Sequence, residues 1–213
     1  MIIIGAKGFA KEVLEIVIQL DGLQDLVFYD DVNFDAPNEL FNRFKVIKSI
    51  DEAIIYFKTV DNRFTIGIGN PILRKKMYDK FSGIGGIYTS TISKLSNIGT
   101  FDVKIGNGTN ILQGAILSNS TEIGLGCIIY YNSIITHDCV IGDFVEISPS
   151  VTILGNCSVG AFSQIGSNAT VLPKIKIGRN VIVGAGTVVT KDIPDNCLVV
   201  GVPGVIKKIK IPI

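Results

Sequence analysis

Between Ile105 and Val189 every sixth residue is aliphatic. The series is Ile105, Ile111, Leu117, Ile123, Ile129, Ile135, Ile141, Ile147, Ile153, Val159, Ile165, Val171, Ile177, Val183 and Val189, without a break. A period of six fits neither a helix nor an ordinary alternating strand, and predicts a parallel β-helix built from hexapeptides. Each unit is then one short strand and a corner, with the aliphatic anchor pointing into a prism whose stacked coils continue one core. Four residues after each anchor stand small or β-branched residues, among them Thr109, Ala115, Thr121, Cys127, Ser133, Cys139, Val145, Val151, Cys157 and Ser163. These form a second inward register with less room. Gly follows several anchors and Asn recurs between them, as corners with left-handed backbone require.

Ahead of the prism the pattern changes. Residues 1–4 read as a strand, Gly5-Ala6-Lys7-Gly8 as a turn, Phe9 to about Leu20 as an amphipathic helix, and Leu26-Val27-Phe28-Tyr29 as a second strand ending in Asp30-Asp31. Residues 32–48 read as loop and a short strand. Ser49-x-x-Glu52 is a capping box, Phe64–Ile68 another strand, and Gly69-Asn70-Pro71 a helix start with Asn70 as N-cap and Pro71 at the first helical position. These elements predict a Rossmann-like α/β domain over residues 1–83. Its two glycine turns should share the carboxyl edge of a parallel sheet, where ligands bind. The glycine-rich stretch Ser82–Gly86 reads as a hinge, residues 84–200 as the all-β helix domain and 201–213 as a tail that caps the prism. Ile92 and Ile98 continue the six-residue step, but Ile98 to Ile105 is seven, so one residue is inserted near Phe101-Asp102.

Composition narrows the function classes. Lys plus Arg is 20 against 19 for Asp plus Glu, which gives no reason to expect a nucleic-acid partner. The chain is apolar on average, yet no run reaches the about 18 residues of a membrane span, and Met1–Gly5 is too short for a secretory leader. A soluble cytoplasmic protein is the expectation. Three of the four cysteines, at 127, 139 and 157, share the small inward register, so all are expected to be buried hydrophobes, with no metal-like Cys/His cluster.

The lone histidine, His137, lies two residues after an anchor, an outward position. Asp138 beside it could orient the ring, an arrangement suited to a general base. With three hexapeptides per coil, residues 18 apart stack, so Asn119 lies below His137 and Gly155 above it. A backbone N–H at Gly155 could stabilise an oxyanion next to that base. In the α/β domain, Gly5-x-x-Gly8 is a weak dinucleotide-like signal. It is open whether this is a nucleotide site or a plain turn with solvated acids.

Four features, namely Gly5-Ala6-Lys7-Gly8-Phe9-Ala10-Lys11-Glu12-Val13, the hexapeptides, His137-Asp138-Cys139-Val140-Ile141-Gly142-Asp143-Phe144 and Val199-Val200-Gly201-Val202-Pro203, together resemble bacterial sugar acyltransferases of the PglD/NeuD type. The resemblance implies a left-handed β-helix, a homotrimer, acetyl-CoA as co-substrate in the groove between prisms, and a nucleotide-linked amino sugar held by the N-terminal domain. It implies no metal. Carried over residue by residue, His137 is the base and Asp138 its partner. Glu146, Gly155, Ala185, Gly186, Lys191 and Lys207 (with Lys208 beside it) fall on the acetyl-CoA side, and Gly8, Asp30, Gly69 and Asn70 on the nucleotide side. Many relatives carry a second histidine where this chain has Glu146. The expected activity is N-acetylation of a UDP- or dTDP-linked 4-amino-dideoxy sugar. O-acetylation of a sialic-acid-like sugar and a non-catalytic sugar-nucleotide-binding trimer are the alternatives. A zinc carbonic anhydrase, which needs several histidines, is excluded.

Overall fold

The computed structural model describes residues 1–32 and 37–208 and divides into two compact units, Met1–Lys94 and Leu95–Ile213. Positions 33–36 of the expected loop and the side chain of Lys208 lie outside the described residues.

In the first unit, strand β1 (Ile2–Ile4) is followed by helix α1 (Gly8–Gln19), β2 (Val27–Tyr29), β3 (Glu39–Leu40), β4 (Phe44–Ile47), helix α2 (Ile50–Thr59), β5 (Arg63–Ile66), helix α3 (Pro71–Gly83) and β6 (Ile87–Tyr88). The sheet order is β3-β4-β2-β1-β5-β6, parallel except for the short β3–β4 pair. Because β1 is central and covered on both faces, Ile2, Ile3 and Ile4 are all buried, which explains an unbroken apolar run where an exposed sheet would alternate. Helix α1 turns Ala10, Val13, Leu14, Ile16 and Val17 inward. Its approach is close: a Cβ on Gly67, just after β5, would stand 2.5 Å from the Ala10 Cα. Helix α2 starts on Ser49, whose Oγ accepts from the Glu52 N–H at 3.2 Å. Helix α3 starts on Asn70, whose Oδ1 accepts from the Leu73 N–H at 3.0 Å.

The stretch expected as a hinge is packed instead. A Cβ on Gly86 would meet Phe57 and Phe64 at 2.6 and 2.7 Å, and β6 pairs with β5, so the first unit continues to Lys94 rather than ending at 83. Gly86 serves close packing against aromatic rings, which in sequence looks the same as flexibility, while a Cβ on Gly83 or Gly85 would meet nothing within 4 Å.

The second unit is the hexapeptide prism. One face stacks Asn97–Ile98, Ile116–Leu117, Ile134–Ile135, Thr152–Ile153, Thr170–Val171 and Val188–Val189. The second stacks Lys104–Ile105, Glu122–Ile123, Val140–Ile141, Ser158–Val159 and Lys176–Ile177. The third runs through Asn110–Ile111, Ile128–Ile129, Glu146–Ile147, Gln164–Ile165 and Ile182–Val183 to Cys197–Val200. All these pairings are parallel and in register, as in Leu117↔Ile135 and Ile141↔Val159. The insertion shows in the pairing of Ile98 with Leu117, one residue beyond the 18-residue step.

Several small inward polar residues find carbonyl acceptors along the prism. The thiols of Cys127, Cys139 and Cys157 donate to the carbonyls of Gly142, Leu154 and Leu172 at 3.1, 3.3 and 3.1 Å, and the Ser163 hydroxyl to that of Gly178 at 2.9 Å. All four cysteines are free and buried. At the end, Val205–Lys208 folds back antiparallel on Cys197–Val200 and extends the third face.

Candidate functional site: a histidine corner and a glycine-turn cavity

The corner between the first and second faces is a straight column. The N–H groups of Ser120, Asp138, Asn156 and Lys174 donate to the carbonyls of Phe101, Asn119, His137 and Gly155 at 3.0, 3.4, 3.1 and 2.9 Å. Asp102, Ser120, Asp138, Asn156 and Lys174 all hold left-handed backbone, φ 54° to 67°. This is comfortable for Asp, Asn and Ser, which bond their own backbone locally.

His137 stands on this column with its side chain 62 % exposed. Its Nδ1 lies 2.7 Å from Asp138 Oδ2. A carboxylate at Nδ1 selects the tautomer that donates from Nδ1 and leaves the Nε2 lone pair outward. Among the described residues Nε2 has no partner. The ring lies over Gly155: a Cβ there would stand 2.6 Å from Cε1, 2.7 Å from Nε2 and 3.2 Å from Nδ1. Only glycine leaves the ring this position. No carbonyl among the described residues accepts from the Gly155 N–H. His137, Asp138 and Gly155 are thus brought together as the 18-residue step expected.

Other expected residues are placed differently. Glu146 lies on the third face, across the prism from the His137 corner, where Gln164 Nε2 donates to it at 3.0 Å. Ala185 and Gly186 form an exposed corner between the third and first faces. Lys191, exposed, follows the last strand of the first face, and Lys207, exposed, is on the closing strand. Lys174 was not singled out in the sequence. It is exposed, two coils above Asp138, and is the one lysine among the described left-handed residues. Its φ of 67° is the signal, and that is invisible without the backbone.

In the first unit the chain reverses direction across the sheet between β1 and β5, and there the two glycine turns meet. They line a cavity of about 350 Å³ with Lys7, Gly8, Phe9, Asp30, Asp31, Val32, Ile68, Gly69, Leu73 and Met77. Gly5 and Gly67 serve packing, but a Cβ on Gly8 would meet nothing within 4 Å. Gly8 begins α1, whose N-cap Lys7 makes no side-chain cap and whose first turn holds no acid, so the positive end of the helix dipole lies at the cavity that Lys7, Gly8 and Phe9 line.

Asp30 is 7 % exposed, with Oδ1 accepting from the Val32 N–H at 3.3 Å. Asp31 is engaged by Lys80 Nζ at 2.6 Å and the Tyr29 hydroxyl at 2.8 Å. Burial alone would raise the Asp31 carboxyl, but these two bonds outweigh it and hold the group below the usual carboxylate range. Lys80, which burial alone would lower, is raised by its bonds to Asp31 and to the Tyr29 hydroxyl. Asn70 spends its side chain as the α3 cap and does not line the cavity. The guanidinium of Arg74, buried on α3, donates to the carbonyl of Gly69 and fixes the second turn.

Among the described residues no group of three or more His, Cys, Asp or Glu side chains could hold a metal ion, and no helix is long and apolar enough to cross a membrane.

Comparison with known proteins agrees with both halves. Residues 1–81 match the PglD N-terminal domain and residues 156–191 the bacterial transferase hexapeptide family of six repeats. No curated protein sequence matches the chain. Among solved structures, WeeI from Acinetobacter baumannii is 30 % identical with a TM-score of 0.88, covering 97 % of this chain and 98 % of that one. The acetyltransferase domain of PglB from Neisseria gonorrhoeae, in complex with acetyl coenzyme A, is 27 % identical with a TM-score of 0.86 over 97 % and 98 % of the two chains. A histidine-to-asparagine variant of perosamine N-acetyltransferase from Caulobacter crescentus, in complex with CoA and GDP-perosamine, is 27 % identical with a TM-score of 0.86 over 97 % and 95 %. An α/β domain with a glycine-turn cavity, a hexapeptide β-helix carrying a histidine corner, and end-to-end similarity to these acyltransferases identify the chain as a member of the PglD/NeuD-type sugar acyltransferases.

Proposed function

We propose that this chain is an acetyl-CoA-dependent N-acetyltransferase acting on the amino group of a nucleotide-linked 4-amino sugar, in the cytoplasm and as a homotrimer. The observation that carries the reading is the His137 ring, tied to Asp138 through Nδ1, open at Nε2 and resting on Gly155.

The free amine attacks the thioester carbonyl, and its nitrogen becomes positively charged as the tetrahedral adduct forms. His137 Nε2 takes that proton, while Asp138 holds the ring and stabilises the imidazolium. The Gly155 N–H donates to the developing oxyanion. Collapse of the adduct breaks the carbon–sulfur bond, and the imidazolium returns a proton to the CoA thiolate. General-base help of this kind contributes about 10²–10⁴ in rate, and one oxyanion donor about 10²–10³. The buried cysteines take no part.

Above His137 on the same corner, Lys174 carries a cation toward the co-substrate's phosphates, and Lys191 and Lys207 add charge nearer the end of the prism. Ala185 and Gly186 offer an exposed corner without bulk. Glu146 faces away from its own His137 corner, so in a trimer it would serve the acetyl-CoA bound against a neighbouring prism.

In the first unit, Gly8 and Gly69 let phosphates approach backbone amides at the α1 N-terminus. Asp30 presents its carboxylate to ribose or base, and Phe9, Leu73 and Met77 supply apolar walls. The test is thiol release from acetyl-CoA with a panel of UDP-, dTDP- and GDP-linked 4-amino sugars and their 4-hydroxy counterparts. Release with at least one amino sugar and with no hydroxy counterpart supports the reading. Release only with the hydroxy sugars, or with none of the panel, refutes it.

A further inference from the structure

A left-handed corner suits glycine, asparagine and aspartate, and the column at the His137 corner keeps to that rule at Asp138 and Asn156. One coil higher it breaks. Lys174 holds φ 67°, and a lysine side chain makes none of the local backbone bonds that compensate asparagine or aspartate there. Pro173 fixes the turn, since proline followed by a residue of positive φ is the type II pattern. The Lys174 N–H donates to the Gly155 carbonyl at 2.9 Å, so the lysine is rooted against the residue over which the His137 ring lies. Its side chain is exposed. Asp192, one coil above, is the next carboxylate in the column, and its Oδ1 accepts instead from the Lys176 N–H at 2.8 Å. Among the described residues the Lys174 ammonium has no partner. An uncompensated backbone of this kind beside a reactive group points to use.

We propose that Lys174 is a self-acetylation site, modified by bound acetyl-CoA when no acceptor sugar is present. The inference rests on the acetyl-CoA and His137 part of the proposed function, not on the identity of the sugar. The lysine side chain is longer than the coil spacing of about 4.8 Å. Turned one way along the column, it carries its charge toward the co-substrate's phosphates. Turned the other way, it brings Nζ over the Gly155 floor, where the thioester carbonyl meets the Gly155 N–H. Once the ammonium has given a proton to water, Nζ attacks that carbonyl carbon. A nitrogen–carbon bond forms and the carbon–sulfur bond breaks. One of the two remaining amine protons passes through His137 Nε2 to the CoA thiolate. One acetyl-CoA becomes one CoA thiol, and the lysine becomes a neutral amide. The cation that faced the co-substrate is lost, so an enzyme supplied with acetyl-CoA and no acceptor loosens its own hold on acetyl-CoA.

The test is peptide mass spectrometry on the full chain incubated with acetyl-CoA alone. Lys176 is the internal standard: it is two residues on, also exposed, and stands on the second face away from the base. Lys174 should gain an acetyl group about 10²-fold faster than Lys176, the lower end of general-base assistance. His137→Gln should bring Lys174 down to the Lys176 rate, with an unchanged melting temperature showing that the fold is intact. A panel sugar that wild type turns over should protect Lys174 when added in excess. After the incubation the acetyl-CoA KM of wild type should be about two- to fivefold higher, the size of one exposed ion pair. The same incubation of Lys174→Arg should leave that variant's own KM where it began.

Equal rates at Lys174 and Lys176 in wild type overturn the inference, as does a Lys174 rate that survives His137→Gln. Full acetylation of Lys174 with no rise in KM overturns its effect on binding. Sugar turnover beside equal lysine rates removes the self-acetylation alone. His137-dependent acetylation of Lys174, with no sugar of the panel turned over, sustains it and overturns the sugar reading instead.

Discussion

Gly155→Ala separates chemistry from stability at one methyl group. The new Cβ would stand 2.6 Å from Cε1 and 2.7 Å from Nε2 of His137, whereas ordinary contact begins at 3.4 Å. Something must retreat by about 0.8 Å, the difference between 3.4 and 2.6 Å. The ring is the part that can move, because it ends a flexible side chain that is 62 % exposed. Backbone strain plays no part, since left-handed φ values are confined to other glycines. A base displaced by about 1 Å from its working position costs about 10²-fold in rate.

Gly155→Ala is therefore expected to lower kcat about a hundredfold, while the melting temperature shifts by less than about 3 °C, the equivalent of under 1 kcal/mol for a domain of this size. Thiol release under saturating substrates measures the first quantity and thermal unfolding the second. Gly106→Ala is the control. Its Cβ would strike the backbone of Gly124 at 2.5 and 2.6 Å, where nothing can swing aside, so it should lose stability. A Gly155→Ala enzyme within twofold of wild-type kcat would refute the placement of His137 as base on the Gly155 floor.

Other consequences follow from packing and charge. Gly67→Ala would press a methyl into Ala10 at 2.5 Å and should destabilise the first unit by about 1–3 kcal/mol, read as a lower melting temperature. Asp31→Asn breaks the contact to Lys80 and Tyr29 that holds the Asp31 carboxyl low. Because the folded-state value lies below the unfolded one, this stabilisation is complete above the unfolded carboxylate range and is lost as pH falls through the folded value. The melting-temperature gap between wild type and Asp31→Asn should be constant from about pH 5 to 9 and shrink below about pH 4; a gap that grows in acid would contradict it. The four buried thiols should react with an aromatic disulfide only on unfolding, so the native protein gives no background in a thiol-release assay.

Much of the second unit was legible because its backbone repeats. A six-residue step converts sequence distance into height, and it placed Gly155 beside His137 and the cysteines inside before any coordinates. The first unit yielded its helices through local chemistry, in the Ser49 and Asn70 caps. Its glycines were less legible, since Gly67 and Gly86 are set by neighbours far away in sequence, Ala10 and Phe57. Asn70 was expected both as the α3 cap and on the nucleotide side, and its side chain makes the cap; which use one residue type takes is decided by side-chain direction. Lys174 was overlooked because lysine is common on surfaces, and its left-handed backbone on the catalytic corner is a property of the fold. Glu146 was assigned to the acetyl-CoA side by resemblance, and only the coordinates show that it stands on the face opposite the His137 corner of its own prism.

The central claim is that His137 removes the proton from an attacking sugar amine. The most direct measurement compares kcat for acetyl transfer in wild type and His137→Ala with both substrates saturating, alongside the affinity of each protein for acetyl-CoA. A loss of about 10²–10⁴ in kcat with affinity unchanged is the expected result; turnover within a few-fold of wild type would contradict it.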